Sequence, residues 1–477
     1  MSGRGGTRCC HSILPRHRSP FSGDAIIDSA LDSVLCSRSG TPTFTSLWFA
    51  VRGRVGCNGP MHEPSPQQAD PAGWRRGFWC LMATQFQNAF SDNALKNLVV
   101  LLVMARRMSE SEQHAYVALV GALFAAPFIL FSMWGGWMAD RFSKRDVMVG
   151  VKVAEVGIML FAAAALWSGQ LSLELTAVFL MGTHSAVFGP SKYGILPELL
   201  PHDRLSWGNG ILELLTFVGI ILGIVAGAAF AEHLEGRMAL AGLALAVLAL
   251  VGWACSRGIT RVPAAAPTRP WPRNPVADLW AQVRLMRADR DLWRANAGNI
   301  GFFFLAALVQ MNVLIFARTV LRLGETDSGL LSAALALGIG CGSLVAGYAS
   351  RGRIEYRLVP VGALGLALST VPMGWPGIGV TGFAWALVAL GFSAGLFIVP
   401  VAAVLQHRPA PENKGAVQGA ANLLSFVGIL AASGVQWIAF TALQLTPAQV
   451  FWLCGAAALA IGAYAGLTRR GFIRGEA

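Results

Sequence analysis

Apolar segments long enough to cross a lipid bilayer recur along this chain of 477 residues. About 20 consecutive apolar residues span the hydrocarbon core as a helix, because the backbone polar groups must be satisfied within the segment. Charged residues make up 13% of the chain, whereas soluble domains usually carry about 25%. The sequence therefore predicts an all-α membrane protein. We place twelve transmembrane spans near 77–104, 116–139, 147–167, 171–190, 206–231, 238–256, 296–317, 328–350, 358–374, 381–405, 416–440 and 448–467.

The basic residues are distributed unevenly between the two sets of loops. One set holds most of the Lys and Arg residues, from Arg75 to Arg474, and so accounts for much of the net charge of +12. The opposite set of loops holds few Lys and Arg residues. Cytoplasmic loops carry an excess of Lys and Arg, so we expect both termini in the cytoplasm. Because the bases lie in short loops and not on one face of a domain, we expect no nucleic-acid partner.

The chain divides into five parts. Residues 1–72 are rich in Arg, Ser, Pro and Gly without periodicity, so we expect a disordered extension, with Met61 as the natural start; a transit peptide stays open. Segments 73–256 and 296–467 each hold six spans. The connector 257–295 is rich in proline at first and then, over 276–293, has the pattern of an amphipathic helix suited to the membrane surface. Residues 468–477 form a cytoplasmic tail.

The two six-span halves repeat each other in sequence. Residues 214–220 read Leu-Leu-Thr-Phe-Val-Gly-Ile, and residues 423–429 read Leu-Leu-Ser-Phe-Val-Gly-Ile, at an offset of 209. Residues 182–188 and 391–397 match at the same offset. This pattern predicts pseudo-symmetric halves, as in transporters with parallel repeats.

The loop between the second and third spans has the pattern Gly-x-x-x-Asp-Arg-x-x-Lys-Arg. An ordinary cytoplasmic loop would need only the basic residues. The full pattern resembles the corresponding loop of the major facilitator superfamily, which implies that fold. The resemblance implies a conformational switch made of Gly136, Asp140, Arg141, Lys144 and Arg145.

Each residue of this switch has an expected physical role. Gly136 permits a close helix approach. Asp140 can accept hydrogen bonds from a helix N-terminus of the other half, near residues 414–415. The three bases hold the loop at the cytoplasmic surface. The second copy of the loop, at 347–353, lacks the acid.

Polar residues inside the spans are costly and mark candidate functional sites. The first span is richest in them, and Asn88, Asp92 and Lys96 share one helical face. We expect Asp92 and Lys96 to form an ion pair across one turn, with a packing role as the alternative. The third span adds Lys152 and Glu155.

The fourth and fifth spans supply further candidates. His184 is either a hydrogen-bonded core residue or a proton relay. Asn209 and Glu213 lie one turn apart in the fifth span. The predicted substrate-binding residues are therefore Asp92, Lys96, Asn88, Glu213, Asn209 and His184.

Three stretches carry a closer resemblance. Residues 85–95, 189–199 and 207–213 are similar to the bacterial lysophospholipid transporter family. This resemblance implies a secondary transporter that moves lysophospholipid, an amphiphilic lipid, across the inner membrane for re-acylation by a separate acyltransferase. At position 96 an apolar residue such as Leu or Ala would be unremarkable, so Lys96 is a departure from the family pattern.

Other classes of function remain as alternatives. A major facilitator exporter of small drugs or metabolites would share the loop but not the three stretches. A transport-inactive scaffold would not need Asp92 or Glu213. A membrane enzyme is disfavoured, because residues 391–395 match Gly-x-Ser-x-Gly within an apolar span and not after a strand. We expect no cofactor and no metal, since the Cys and His residues lack ligand spacing.

Overall fold

The computed structural model describes residues 74–466, apart from the side chains of residues 325, 326, 465 and 466. The predicted extension (1–72) and tail (468–477) lie outside this range. The regular elements of the described chain are helices. They are α1 (Trp74–Ala105), α2 (Glu110–Arg141), α3 (Lys144–Ser168), α4 (Leu171–Leu199), α5 (Leu205–His233), α6 (Ala239–Arg257), α7 (Pro275–Ala288), α8 (Arg290–Thr319), α9 (Glu325–Ala349), α10 (Leu358–Met373), α11 (Val380–His407), α12 (Lys414–Thr441) and α13 (Pro447–Gly466).

Twelve of these helices coincide with the twelve predicted spans, and α7 lies in the connector, which confirms the predicted fold class. Ten helices in the described range are long and apolar enough to cross a membrane. Helix α10 is apolar but shorter, with 16 residues. Helix α1 has 32 residues and carries the polar side chains that form much of the site described below.

Local sequence signals explain several helix ends. Helix α2 begins with a capping box, in which Ser109 Oγ accepts from the N–H of Glu112 and Glu112 Oε2 accepts from the N–H of Ser109. Helix α3 ends at Gly169, whose φ of 64° lies in the left-handed region that glycine adopts without strain.

Several predicted boundaries differ from the observed helix ends; α2 and α8, for example, begin at Glu110 and Arg290, earlier than the predicted 116 and 296. Helix α4 does not end near residue 190 but continues through Pro190 and Pro197 to Leu199, so that Lys192 lies inside the helix. The amphipathic helix predicted over 276–293 ends at Ala288, because the Asp289 side chain accepts from two N–H groups of the next helix and so begins α8.

The amphipathic helix α7 packs partly on protein. Gln282, Val283 and Met286 are buried, whereas Val276 is 73% and Trp280 is 55% exposed. One face of α7 therefore contacts the bundle, and the other is left for the membrane surface or solvent.

Asp289 also ties the start of α8 to the end of α11. Arg408 Nε donates to Asp289 Oδ2 over 2.6 Å, and Arg408 Nη2 lies 3.2 Å from Asp291 Oδ2. Burial opposes ionisation of Asp289, but the hydrogen bonds from Arg408 and from two backbone N–H groups outweigh it and lower the pKa of the carboxyl.

Helices α1 to α6 pack mainly among themselves, and so do α8 to α13. In the second group, for example, the rings of Phe316 and Phe383 stack with centroids 4.7 Å apart. The two groups meet mainly along two seams, α2 against α12 and α5 against α9. We call α1–α6 the first half and α8–α13 the second half.

The halves meet at the end of the bundle that carries residues 141–144 and 258–274, which we call the linker face. A Cβ added at Gly136 in α2 would lie 2.6 Å from Gly415 O in α12, so only glycine permits this approach. A Cβ at Gly210 in α5 would lie 2.5 Å from Ser343 O in α9. The bundle is therefore closed at the linker face.

The opposite ends of the same helices are less crowded. A Cβ added at Gly121 in α2, Gly329 in α9 or Gly434 in α12 would meet no heavy atom within 4 Å. These three glycines are exposed, whereas the close glycine contacts between the halves at Gly136, Gly210 and Gly419 lie toward the linker face.

Candidate functional site

A buried ion pair forms the centre of a polar cluster in the first half. Lys152 Nζ lies 2.6 Å from Glu155 Oε2, one turn along α3, and both side chains are 0% exposed. Charges buried in this way need further hydrogen bonds to offset their lost hydration.

Helix α1 supplies those hydrogen bonds. Lys152 Nζ donates to Gln87 Oε1 over 2.8 Å and to Asn88 Oδ1 over 2.9 Å, so the ammonium has acceptors for all three of its donors. Gln87 Nε2 in turn donates to Glu155 Oε1 over 2.8 Å. The two amides therefore hold α1 against α3 at this depth.

Asp92 lies at the edge of the cluster and is 7% exposed. Its Oδ2 atom accepts from Ser185 Oγ over 2.7 Å and from Asn88 Nδ2 over 3.0 Å. Its Oδ1 atom has no hydrogen-bond partner among the described residues. One carboxylate oxygen is thus held by the protein, whereas the other is buried without a partner among the described residues.

His184 joins Asp92 to the central ion pair. His184 Nε2 lies 3.4 Å from Glu155 Oε2, and His184 Nδ1 lies 3.4 Å from Ser185 Oγ. The predicted residues Asn88, Asp92 and His184 are therefore brought together around Lys152 and Glu155. We call Gln87, Asn88, Asp92, Lys152, Glu155, His184 and Ser185 the polar cluster.

The expected ion pair between Asp92 and Lys96 was wrong for this conformation. Lys96 Nζ donates to Asn93 Oδ1 over 3.1 Å and lies 5.0 Å from the ring centroid of Phe124 in α2. The carboxylate of Asp92 turns instead toward Asn88 and α4. Although the two residues are one turn apart, Asp92 bonds Ser185 of α4, and Lys96 bonds Asn93 of its own helix.

Glu213 forms a second, smaller polar group with α4. Tyr193 Oη donates to Glu213 Oε1 over 3.4 Å, and Lys192 Nζ lies 4.2 Å from the centroid of the Tyr193 ring. Lys192 and Glu213 are both buried. This pair adds one charge of each sign to the first half.

Asn209 is not part of either group. Its side-chain amide is hydrogen-bonded to Gln406 of the second half and to Leu205 O. The predicted role of Asn209 as a substrate contact finds no support in these contacts.

Lys152 and Glu155 were noted in the sequence but were not included among the predicted substrate contacts. Their signal was a Lys and a Glu three residues apart within an apolar span, which fits an ion pair on one helical face. Ser185 and Gln87 have no comparable signal, because a single hydroxyl or amide in a span can also bond its own helix.

At the linker face, Asp140 contacts the N-terminus of α12. Its Oδ1 accepts from the N–H of Gly415 over 2.6 Å, and its Oδ2 accepts from the N–H of Ala416 over 2.9 Å. The contact expected near residues 414–415 is therefore present. The carboxylate satisfies two free N–H groups at the positive end of a helix in the other half.

The connector adds a partner for Asp140 that the sequence did not reveal. Arg269 Nη1 lies 2.8 Å from Asp140 Oδ2 and also donates to Glu412 O over 3.4 Å. Trp137 Nε1 donates to Pro270 O over 2.8 Å, so the connector is fastened to the end of α2.

The other predicted switch residues have partners within the first half or the connector. Arg141 donates to Arg269 O and lies 5.5 Å from the Trp137 ring centroid. Lys144 Nζ lies 2.7 Å from Glu198 Oε1. Arg145 donates to Arg257 O over 2.8 Å. In this conformation Asp140 and Gly136 contact the second half directly.

A metal centre is not evident between residues 74 and 466. This range contains no group of three or more His, Cys, Asp or Glu residues that could hold a metal ion.

Comparison with solved structures agrees with the helical architecture. The human organic anion transporter MFSD10 (TETRAN) superposes with a TM-score of 0.71 at 16% identity, covering 83% of this chain and 100% of that chain. FucP, a major facilitator transporter in the outward conformation, superposes with a TM-score of 0.65 at 12% identity, over 82% of this chain and 99% of that one.

Comparison with known sequences defines the family. The model of the Major Facilitator Superfamily matches residues 81–433. The lysophospholipid transporter LplT of Klebsiella pneumoniae is 30% identical over 352 residues, covering 71% of this chain and 82% of the relative. LplT of Escherichia fergusonii is 31% identical over 351 residues, with 70% and 81% covered. The chain therefore belongs to the major facilitator superfamily and, within it, to the family of the bacterial lysophospholipid transporters.

Proposed function

We propose that this protein is a secondary transporter that moves lysophospholipid across the bacterial inner membrane by alternating access. The observation that carries the proposal is an asymmetry of charge. Every buried Asp, Glu and Lys in the described range lies in the first half or in its loop, at Asp92, Asp140, Lys144, Lys152, Glu155, Glu174, Lys192 and Glu213.

A lysophospholipid has a charged head group and one acyl chain, and this asymmetry suits both. The head group would bind in the first half at Asp92, Asn88 and Glu213, where carboxylates and amides are already held in place. Lys96 and His184 would lie beside it.

The acyl chain would contact the second half, which offers apolar surface. An apolar cavity there is lined by residues such as Phe302, Leu335 and Phe397. The names of the curated relatives support the same substrate class. A small drug or metabolite, the alternative substrate, would not require separate polar and apolar halves.

We also propose an orientation and a division of the chain. The linker face would be cytoplasmic, because most loop bases lie on that side. Both termini would then be cytoplasmic. Segments 73–256 and 296–467 would be the two rocking halves, with 257–295 as their connector. A separate acyltransferase would re-acylate the transported lipid.

Uptake of labelled lysophospholipid by spheroplasts lacking the protein, with and without the gene restored, tests the substrate. We expect uptake only when the gene is present. Unlabelled lysophospholipid should compete, whereas the free water-soluble head group and a free fatty acid should not, because each lacks one half of the amphiphile. Gene-dependent efflux of a small cationic dye without lysolipid uptake would overturn this substrate in favour of the alternative.

The contacts of Asp140 predict a defect in the transport cycle. In Asp140→Asn, the ion pair with Arg269 is lost and one N–H of α12 loses its acceptor. The closed linker face should be destabilised by about 0.3–2 kcal/mol, the range for a charge at a helix terminus. We expect slower lysolipid turnover at nearly unchanged substrate affinity.

Arg261→Gln provides the matched control, because Arg261 pairs with Asp146 within the first half and the connector. Turnover and affinity of both variants are measured by lysolipid uptake over a range of concentrations. Wild-type turnover in Asp140→Asn would refute the role of this contact.

A further inference from the structure

Asn209 and Gln406 form a reciprocal pair of amides. Asn209 Nδ2 donates to Gln406 Oε1 over 2.9 Å, and Gln406 Nε2 donates to Asn209 Oδ1 over 2.7 Å. The residues are 0% and 1% exposed. Since an amide both donates and accepts, two amides can satisfy each other with two hydrogen bonds.

This pair crosses from one half to the other. Asn209 lies in α5 of the first half, and Gln406 lies near the end of α11 in the second half. On the preceding turn of α5, Ser206 Oγ donates to Arg353 O over 2.9 Å. The adjacent Gly210 packs against Ser343 of α9. The amide pair is therefore embedded in the closed contact between the halves at the linker face.

The pair lies on the α5–α9 side of the linker face, where the second copy of the loop lacks the acid of the first. On the α2–α12 side, the carboxylate of Asp140 accepts from the N-terminus of α12. On the α5–α9 side, the second copy of the loop has no acid, and α5 begins at Leu205 without a side-chain cap. The two sides of a pseudo-symmetric gate thus use different chemistry.

We propose that the Asn209–Gln406 pair is a second latch between the halves at the linker face, beside the contact of Asp140 with α12. It holds the α5 side closed and breaks in each transport cycle. This inference rests on the alternating-access part of the proposed function and does not depend on the substrate. A neutral latch suits a contact that must open repeatedly. When the halves separate, both amides can exchange their mutual hydrogen bonds for hydrogen bonds to water.

Removing one member of the pair should weaken the closed state more than removing both. In Asn209→Ala, the amide of Gln406 stays buried without its partner in the closed gate, but it is hydrated in the open gate. Loss of one or two ordinary hydrogen bonds changes a conformational ratio by about five- to thirty-fold. The gate of each single variant should therefore open more often by about this factor.

Accessibility of a buried site beside the latch measures the effect. The full chain is purified in lipid nanodiscs with its eight cysteines replaced and with Ser343→Cys as the reporter. Ser343 is 0% exposed, and its hydroxyl has no hydrogen-bond partner between residues 74 and 466. The rate of maleimide labelling then reports opening, without any substrate.

We expect faster labelling, by about five- to thirty-fold, in Asn209→Ala and in Gln406→Ala. The exchanged variant, Asn209→Gln with Gln406→Asn, should restore slow labelling, because it keeps both amides. Asn299→Ala is the matched control, since Asn299 is a buried amide bonded to Ser425 within the second half and should leave labelling unchanged. If Asn209→Ala gives too little folded protein, Asn209→Ser is measured in its place.

Unchanged labelling in both single variants would overturn the latch, as would fast labelling in the exchanged variant. The result is independent of the substrate proposal. A protein that shows the labelling pattern but takes up no lysolipid would contradict the substrate and leave the latch intact. Lysolipid uptake by the wild-type protein, with labelling unaltered in the single variants, would support the substrate and contradict the latch.

Discussion

Lys152→Met should remove most of the folded protein, and Lys152→Met combined with Glu155→Gln should restore much of it. Both side chains are 0% exposed, and the ammonium has acceptors only within the polar cluster. Removal of one partner leaves a buried charge without compensation, which costs about 3–5 kcal/mol. Total stabilities are about 5–15 kcal/mol, so this loss is a large part of the whole.

Replacement of both partners removes both charges and keeps similar side-chain volumes, which is often close to neutral in free energy. The yield of monodisperse protein after detergent extraction and its thermal midpoint measure the effect. Arg204→Met is the control, because Arg204 is 54% exposed and its ion pair with Asp203 is at the surface, where such pairs contribute about 0–1 kcal/mol. Wild-type yield for Lys152→Met alone would contradict the prediction.

Asp92→Asn should fold normally and lose lysolipid transport. The asparagine oxygen can still accept from Ser185 and Asn88, so the bonds that hold residue 92 within the protein are kept. The negative charge is lost at Oδ1, the atom without a partner. Hydrogen bonds to charged groups contribute about 1.5–3 kcal/mol, so substrate affinity should fall by about ten- to one-hundred-fold.

The double variant Asp92→Asn with Lys96→Gln distinguishes a substrate site from a structural pair. Lys96 bonds Asn93 and not Asp92, so the second substitution should add its own loss of transport and should not rescue the first. Lysolipid binding and uptake, with folding measured in parallel, give the two readouts. If Asp92→Asn transports lysolipid at the wild-type rate, the head group binds elsewhere. If Asp92→Asn instead folds poorly and the added Lys96→Gln restores folding, the two residues form an ion pair in another conformation.

Sequence patterns predicted the contact of Asp140 more completely than they predicted the substrate site. The loop motif defines which residue lies at the membrane surface, and the free N–H groups of a helix N-terminus are general donors to carboxylates. The expected partner near 414–415 followed from that chemistry. Arg269 could not be predicted, because the proline-rich connector has no periodicity that determines which residue reaches Asp140.

Within the site, Asn88, Asp92 and His184 were predicted and lie together, but the ion pair at their centre was not. Spacing along α1 allowed Asp92 and Lys96 to meet, and spacing along α3 allowed Lys152 and Glu155 to meet equally well. Only the packing of α1 and α4 against α3 decided between them. The amides of Gln87 and Asn88 complete the second pair, whereas Lys96 turns toward Phe124.

The sequence by itself determined the twelve helices, their order and the repeat that relates the halves, because hydropathy and repeat spacing are properties of the chain read in order. The tertiary structure decided the partners of the buried polar groups. Asn88 and Lys152 are separated by 64 residues, and Asn209 and Gln406 by 197. A buried amide or ammonium can be satisfied by any donor or acceptor of the right chemistry, so its partner is chosen by which helices pack together and at what depth.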